Sequence, residues 1–204
     1  MKKIKQILWD TDTQNDFIMP DGTLSVPGAY GMIENFGKAI YHFQNKGIPV
    51  LGSVDAHTGP ELISGTKDQY FPLHCIKGTK GQQKITSTQG DILYVSDNKY
   101  TDNALDLVVN EVMDGRRVYV EKQGLSLLSN PNIIDLIEKL GVEEVYLMGV
   151  ATNICVKEAF DAFKDMQKKV YLIHSAIKGL DIPGSTEKQG LEYMLKSGAE
   201  MYRF

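Results

Sequence analysis

Cysteine is scarce in this chain. Two, Cys75 and Cys155, stand among 204 residues, too few for a disulfide scaffold at this size. Long apolar runs are missing as well: none approaches the ~18 residues of a membrane span. The basic start MKKIKQILWD reaches Asp10 after only a few apolar residues, which is too short for a signal-peptide core. Together these absences predict a cytoplasmic protein with two free thiols and no membrane partner. There is no excess of basic charge. Lys and Arg total 22 against 26 Asp and Glu, a net charge of −4. Nucleic acid as the main partner would call for a cationic surface, so none is expected, although a small anionic ligand is not excluded. Internal repeats, low-complexity tracts and linkers are also lacking. At this length one domain, residues 1–204, is the expectation.

What the chain does have is alternation. Short apolar, β-branched runs predict strands over 5–10, 48–55, 91–96, 117–122, 144–150 and 169–174, with a short seventh candidate at 199–204. Longer amphipathic stretches predict helices over 31–47, 101–115, 130–141, 153–169 and 185–198. Several strand runs are apolar throughout and do not alternate, which suits a parallel sheet covered on both faces. The predicted fold is α/β, a Rossmann-like three-layer sandwich with a mostly parallel six-stranded sheet. Gly47, Gly115 and Gly141 fall where helices should end. Asn130-Pro131 reads as a cap followed by proline at the first helical position, and Ser185 as the cap of the last helix. The long stretch between Asp55 and Gly90 carries little periodicity and is where site loops are expected.

In such a sheet, ligands bind outside the carboxyl ends of the strands. The predicted ends deliver a consistent set of groups. The first strand runs into WDTDTQNDF, bringing Asp10, Asp12 and Asp16 to its exit. The second ends in VDAH, with Asp55 and His57, the fourth in VEK, with Lys122, and the fifth reaches Gly149, six residues before Cys155. A thiol in the opening turn of a helix gains from the unsatisfied N–H groups there, which favour a thiolate and can later hold an oxyanion. Lys122 close by would lower the thiol pKa further. Asp12 could take the thiol proton and return it to a leaving amine. Histidine is scarce too, with four in the chain. Asp55-x-His57 puts two ligand-type side chains on one side of an extended segment, and His74 lies in the Pro- and Gly-bounded loop YFPLHCIKGTKG. One carboxylate and two imidazoles suit zinc, iron or manganese better than magnesium or calcium. Plainer uses exist for each residue taken alone. Cys155 could be a small buried hydrophobe, Asp12 a turn residue, Lys122 a solvated charge and His57 a hydrogen-bonded structural group. The convergence of four strand ends is what favours a site.

Taken in order, DTDTQNDF, VDAH, FPLHCIKGT, VEKQGLSLLSNPNI and GVATNICVKEAF resemble the isochorismatase-like cysteine hydrolases, and among these the nicotinamidase branch. The resemblance runs from residue 5 to about 175. It implies a triad of Asp12, Lys122 and Cys155, and an oxyanion hole formed by the amides of Ala151 and Cys155, beside a cis peptide at Val150–Ala151. It implies a divalent metal, zinc before iron or manganese, on Asp55, His57 and His74. The remaining ligand would be Glu61, Asp68 or water. Phe17 and Phe71 match aromatic positions that shape the ring pocket, while FPLH departs from the commoner F-P-P-H. Branches of the family that act on isochorismate or carbamoyl compounds lack the metal set.

The implied activity is hydrolysis of nicotinamide to nicotinate and ammonia through a Cys155 thioester. A metal-free carbamoyl or ureido amidase is the neighbouring possibility, and a ligand-binding or redox module with Cys155 as a sensor thiol a more distant one. The partner expected in each case is a small molecule, an amide for the enzymes. Self-association into a homo-oligomer is compatible with the resemblance.

Overall fold

The computed structural model describes residues 3–59 and 71–204. The chain alternates as the apolar runs predict. Strands β1 (Gln6–Thr11) and β2 (Val50–Asp55) are joined through a single turn α1 (Asn15–Ile18), a 3-10 turn (Ala29–Met32) and helix α2 (Ile33–Asn45). Then follow β3 (Ile92–Val95), α3 (Asp102–Met113), β4 (Arg117–Lys122), α4 (Ile133–Leu140), β5 (Glu144–Val150), α5 (Cys155–Asp165), β6 (Lys169–Lys178), α6 (Glu187–Lys196) and β7 (Glu200–Tyr202).

The strands form one seven-stranded sheet in the order β3-β4-β2-β1-β5-β6-β7, and every pairing is parallel. The predicted count of six is corrected to seven. The short seventh candidate at 199–204 is realised as the three-residue β7, which pairs with Tyr171, Leu172 and Ile173 of β6. Side chains alternate across the pleat, so Ile7 and Trp9 pack with α3, α4, α5 and α6 on one face. Leu8 packs with Phe36, Ala39, Ile40 and Phe43 of α2 on the other. Two apolar layers, each buried against the sheet, account for the continuously apolar strands. No helix among the described residues is long and apolar enough to cross a membrane, and both cysteines are free.

Gly47, Gly115 and Gly141 all take left-handed backbone at or just past helix ends, with φ of 70°, 90° and 78°, as carbonyl-satisfying helix stops require. Two predicted caps move. Helix α4 starts at Ile133 rather than Pro131, because Asn130 is used elsewhere: its side-chain amide donates to the carbonyls of Val95, Ser96 and Glu121. That bond set ties the ends of β3 and β4 together. Helix α6 is capped by Thr186, not Ser185. Thr186 accepts from the Gln189 amide and Gln189 reaches back, a reciprocal capping box.

Candidate active site

The four central strands of the sheet, in the order β4-β2-β1-β5, end at one rim. Their C-terminal residues or exit turns carry Lys122, Asp55, Asp12 and the segment leading to Cys155. Asp12 follows β1 directly, with its backbone at φ 49°, and is fully buried. The Ser53 hydroxyl donates to its Oδ1 at 2.7 Å. Lys122 Nζ lies 3.0 Å from Asp12 Oδ2 and 3.8 Å from Cys155 Sγ, and pairs closely with Asp55 Oδ1. A thiol, an ammonium and two carboxylates, distant in the chain, therefore share one buried pocket.

The close approach of β5 to β1 brings the thiol in. At Gly149, φ is 118° and a Cβ would fall 1.9 Å from the Thr11 carbonyl oxygen, so only glycine fits. The Val150–Ala151 peptide is cis, and α5 begins at Cys155 with no side-chain cap. Within the turn, the Ile154 and Val156 amides both donate to the Ala151 carbonyl, and the Thr152 amide donates to Lys178. Neither the Ala151 nor the Cys155 amide takes part in these bonds.

The electrostatics correct one expectation. Helix start and lysine were expected to depress the thiol pKa. Burial instead pushes Cys155 well above the ordinary thiol range. Lys122 opposes this, and the Asp12 and Asp55 carboxylates add to it. Asp12 is also raised, by burial above all, with Asp55 adding and Lys122 opposing. Burial alone would lower Lys122, but Asp12 and Asp55 outweigh it and hold the ammonium charged. The arrangement suits a proton passing from thiol to Asp12 during attack, rather than a thiolate waiting beforehand.

Asp55 faces two ways. Its Oδ1 meets Lys122, and its Oδ2 lies 3.6 Å from His74 Nε2 and 3.9 Å from His57 Nε2. Ligand atoms of Asp55, His57 and His74 all lie within 4.8 Å of one another. His74 Nδ1 is 2.7 Å from the Pro72 carbonyl. Donation of Nδ1–H to that oxygen leaves the Nε2 lone pair facing the cluster, the usual outer support of a metal-bound imidazole. His57 is fully buried and neither ring nitrogen has a hydrogen-bond partner. Burial lowers its pKa, against the pull of Asp55, so the imidazole is neutral and its lone pair available. Buried polar atoms without partners are costly, and a divalent cation on this donor set would satisfy one of them. The residues fit a metal. Of the further ligands considered, Glu61 and Asp68 lie outside the described residues.

Phe17 and Phe71 both line the cavity above Cys155 and His74, together with Val26, Leu125, Ile154 and Leu180. Phe17 stands 5.4 Å and Phe71 6.5 Å from the His74 ring, centroid to centroid. Asp16, placed at the strand exit by the sequence, is not at this rim. Its carboxylate accepts from the Cys75 amide at 2.7 Å and so fixes the loop that carries His74. Cys75 itself is buried, and its thiol is pushed well up by burial. Sequence reasoning missed Gln14 as a positioning group: its side chain donates to the Asp55 carbonyl and accepts from the Asp55 amide, both at 2.8 Å. The alternating D-x-Q-x-D pattern was the available signal. Ser53 was missed as well, since a serine inside an apolar strand says nothing of which side chain it meets.

Comparisons with known proteins bear on the family and the fold. The family model described as Isochorismatase domain matches residues 7–203. The nicotinamidase of Escherichia coli K12 is 24% identical over 207 residues, covering 94% of this chain and 91% of that protein. The pyrazinamidase of Pyrococcus horikoshii, solved in complex with zinc, is 26% identical with a TM-score of 0.74, covering 98% of this chain and 99% of that one. N-carbamoylsarcosine amidase from Thermoplasma acidophilum, at 21% identity, has a TM-score of 0.70 over 98% of this chain and 96% of that one. The fold is thus shared by amidases of more than one specificity.

Proposed function

The chain belongs to the isochorismatase family, and from that premise we propose that it is a nicotinamidase, hydrolysing nicotinamide to nicotinate and ammonia through a thioester on Cys155. The observation that carries this reading is a single pocket that joins the Cys155–Lys122–Asp12 cluster to the Asp55–His57–His74 donor set. The first can make and break a C–N bond. The second can anchor a nitrogen heterocycle.

Asp12 takes the proton of the Cys155 thiol as Sγ attacks the amide carbon. The oxyanion is held by the N–H groups of Ala151 and Cys155, the two amides left out of the turn's own bonding. Asp12 then passes its proton to the departing amine, and ammonia leaves a thioester on Sγ. Water attacks that thioester while Asp12 takes a proton from it. The carboxylate product is released as Sγ recovers its proton. Lys122 stays charged throughout and holds Asp12 against the sulfur. Zinc, held by Asp55 Oδ2 and the two histidines, would supply a Lewis-acid anchor for the pyridine nitrogen.

The choice of amide follows from the cavity wall. Phe17, Val26, Phe71, Leu125, Ile154 and Leu180 are apolar, and the ammonium beside Cys155, that of Lys122, is already paired with Asp12 and Asp55. Isochorismate and carbamoyl amino acids carry carboxylates, and burying one without a cation is costly. A neutral aromatic amide meets no such penalty. We expect ammonia release from nicotinamide and pyrazinamide, suppressed by a chelator and restored by zinc, with little from carbamoyl amino acids. Chelator-insensitive release from carbamoyl substrates alone would replace the reading with the metal-free amidase. No release from any amide, with a thiol that still alkylates, would leave a sensor or binding module.

A further inference from the structure

Near Asp12 in the chain, at Asp10, lies a buried ion pair that the reaction above does not use. Lys84 and Asp10 are both fully buried side chains, an uncommon state for either. Lys84 Nζ is 3.1 Å from Asp10 Oδ2, 3.3 Å from the Asp10 carbonyl oxygen and 3.4 Å from Thr13 Oγ1. It also lies 4.4 Å above the centre of the Tyr119 ring. The other oxygens of the cluster have partners as well. The Tyr119 hydroxyl donates to Asp10 Oδ2 at 2.9 Å, the Thr13 hydroxyl reaches Asp10 Oδ1 at 2.8 Å, and Thr13 and Thr88 hydroxyls meet at 2.7 Å.

These contacts fall on both sides of Asp12, at residues 10 and 13, and reach it from β4 and from the 82–88 segment. The backbone closes the same seam: Ile85 donates to the Thr13 carbonyl and Asn15 donates to Gln83. Asp12 sits between these anchors in left-handed backbone at φ 49°, a conformation that a non-glycine residue holds only when its surroundings impose it. A buried ion pair is poor value as stability alone, because an apolar pair of similar volume does as well or better. Resting on the proton-carrying role given to Asp12 above, we propose that Lys84 and Asp10 are a positioning pair. They brace the Thr11–Thr13 turn so that the Asp12 carboxylate stays within proton-transfer range of Cys155.

The test is the double variant Asp10→Asn/Lys84→Met, which removes both charges together and keeps the hydrogen-bonding capacity of residue 10. Two rates are read on the folded, zinc-loaded protein: nicotinamide turnover, and alkylation of Cys155 by iodoacetamide, followed by mass spectrometry. The second needs no substrate, so it tests the brace even if nicotinamide proves to be the wrong amide. Misplacing a reacting group by ~1 Å costs about 10²-fold. We expect kcat and the alkylation rate to fall about tenfold to a hundredfold, with KM within about twofold and the melting temperature near that of the parent. Thr13→Val keeps both charges and cuts only the hydroxyl that ties the pair to the turn; it lowers the same two rates severalfold, and it decides the matter if the double variant does not fold. Parental kcat and alkylation in either folded variant would overturn the assignment and leave the pair as packing.

Discussion

The Cys155→Ala protein is expected to bind nicotinamide and release no ammonia. Turnover depends on a covalent bond to Sγ, and the alanine protein has no atom that can form it. Removal of a catalytic nucleophile in other hydrolases lowers kcat by about 10⁶-fold, and a loss on the order of 10⁴-fold or more is expected here, at the floor of an ammonia assay. Binding should survive because the groups that hold the ring lie elsewhere. Phe17, Phe71 and His74 line the cavity, and the metal-ligating atoms do not include the sulfur in the Asp55–His57–His74 set. Calorimetric titration of the zinc-loaded variant should give a dissociation constant within a few-fold of the parental KM. The fold should be undisturbed. Cys155 is the first residue of α5, and truncating a small side chain beside a cavity leaves little to collapse. Ammonia release at a measurable fraction of the parental rate would end the thioester scheme. It would point to water attacking the amide directly, with Asp12 as the base.

The rim was legible in the sequence for a physical reason. An apolar run that stops at a polar residue marks where a strand leaves the core, and in a parallel sheet all such exits on one edge face the same solvent side. Asp12, Asp55, Lys122 and Cys155 could therefore be assigned to a common edge before any distance was known. Their neighbour relations follow from strand order, β4-β2-β1-β5, which alternation does not specify. What stayed hidden was whatever depends on which side chain meets which. Asn130 looked like a cap because Asn-Pro favours one, but three carbonyls from two strand ends claimed its amide. Lys84 lies in the stretch between Asp55 and Gly90, where nothing local marks it as fully buried against Asp10. The upward push of burial on the thiol was hidden for a related reason. A helix start and a lysine are visible in sequence, whereas the depth of burial that outweighs them is a property of the assembled pocket.

Lys122→Met should be the most destabilising single change in the site. The lysine is the counter-charge to both Asp12 and Asp55, and all three side chains are essentially removed from water. Taking one partner from a buried ion network leaves the others uncompensated, which costs about 3–5 kcal/mol. The deficit is expected in chelator, where no metal offsets the charge on Asp55, and is read by urea denaturation against the parent. Its pH dependence has a definite sign. In the parent, Asp55 is held well below the usual carboxylate range; burial works against this, and Lys122 with the histidines overcomes it. That contribution to stability is present above the unfolded pKa and is lost as pH falls through the folded one. In the variant, burial no longer has its chief opponent. Both carboxyls then hold a proton more tightly than in the parent, so the variant's native state gains protons relative to the parent's as pH falls, and the lost stability is partly recovered. The gap between variant and parent should therefore be widest near pH 8 and narrow towards about pH 5. A gap independent of pH would show that the methionine acts through packing alone, with Asp12 and Asp55 charged and solvated by some other route.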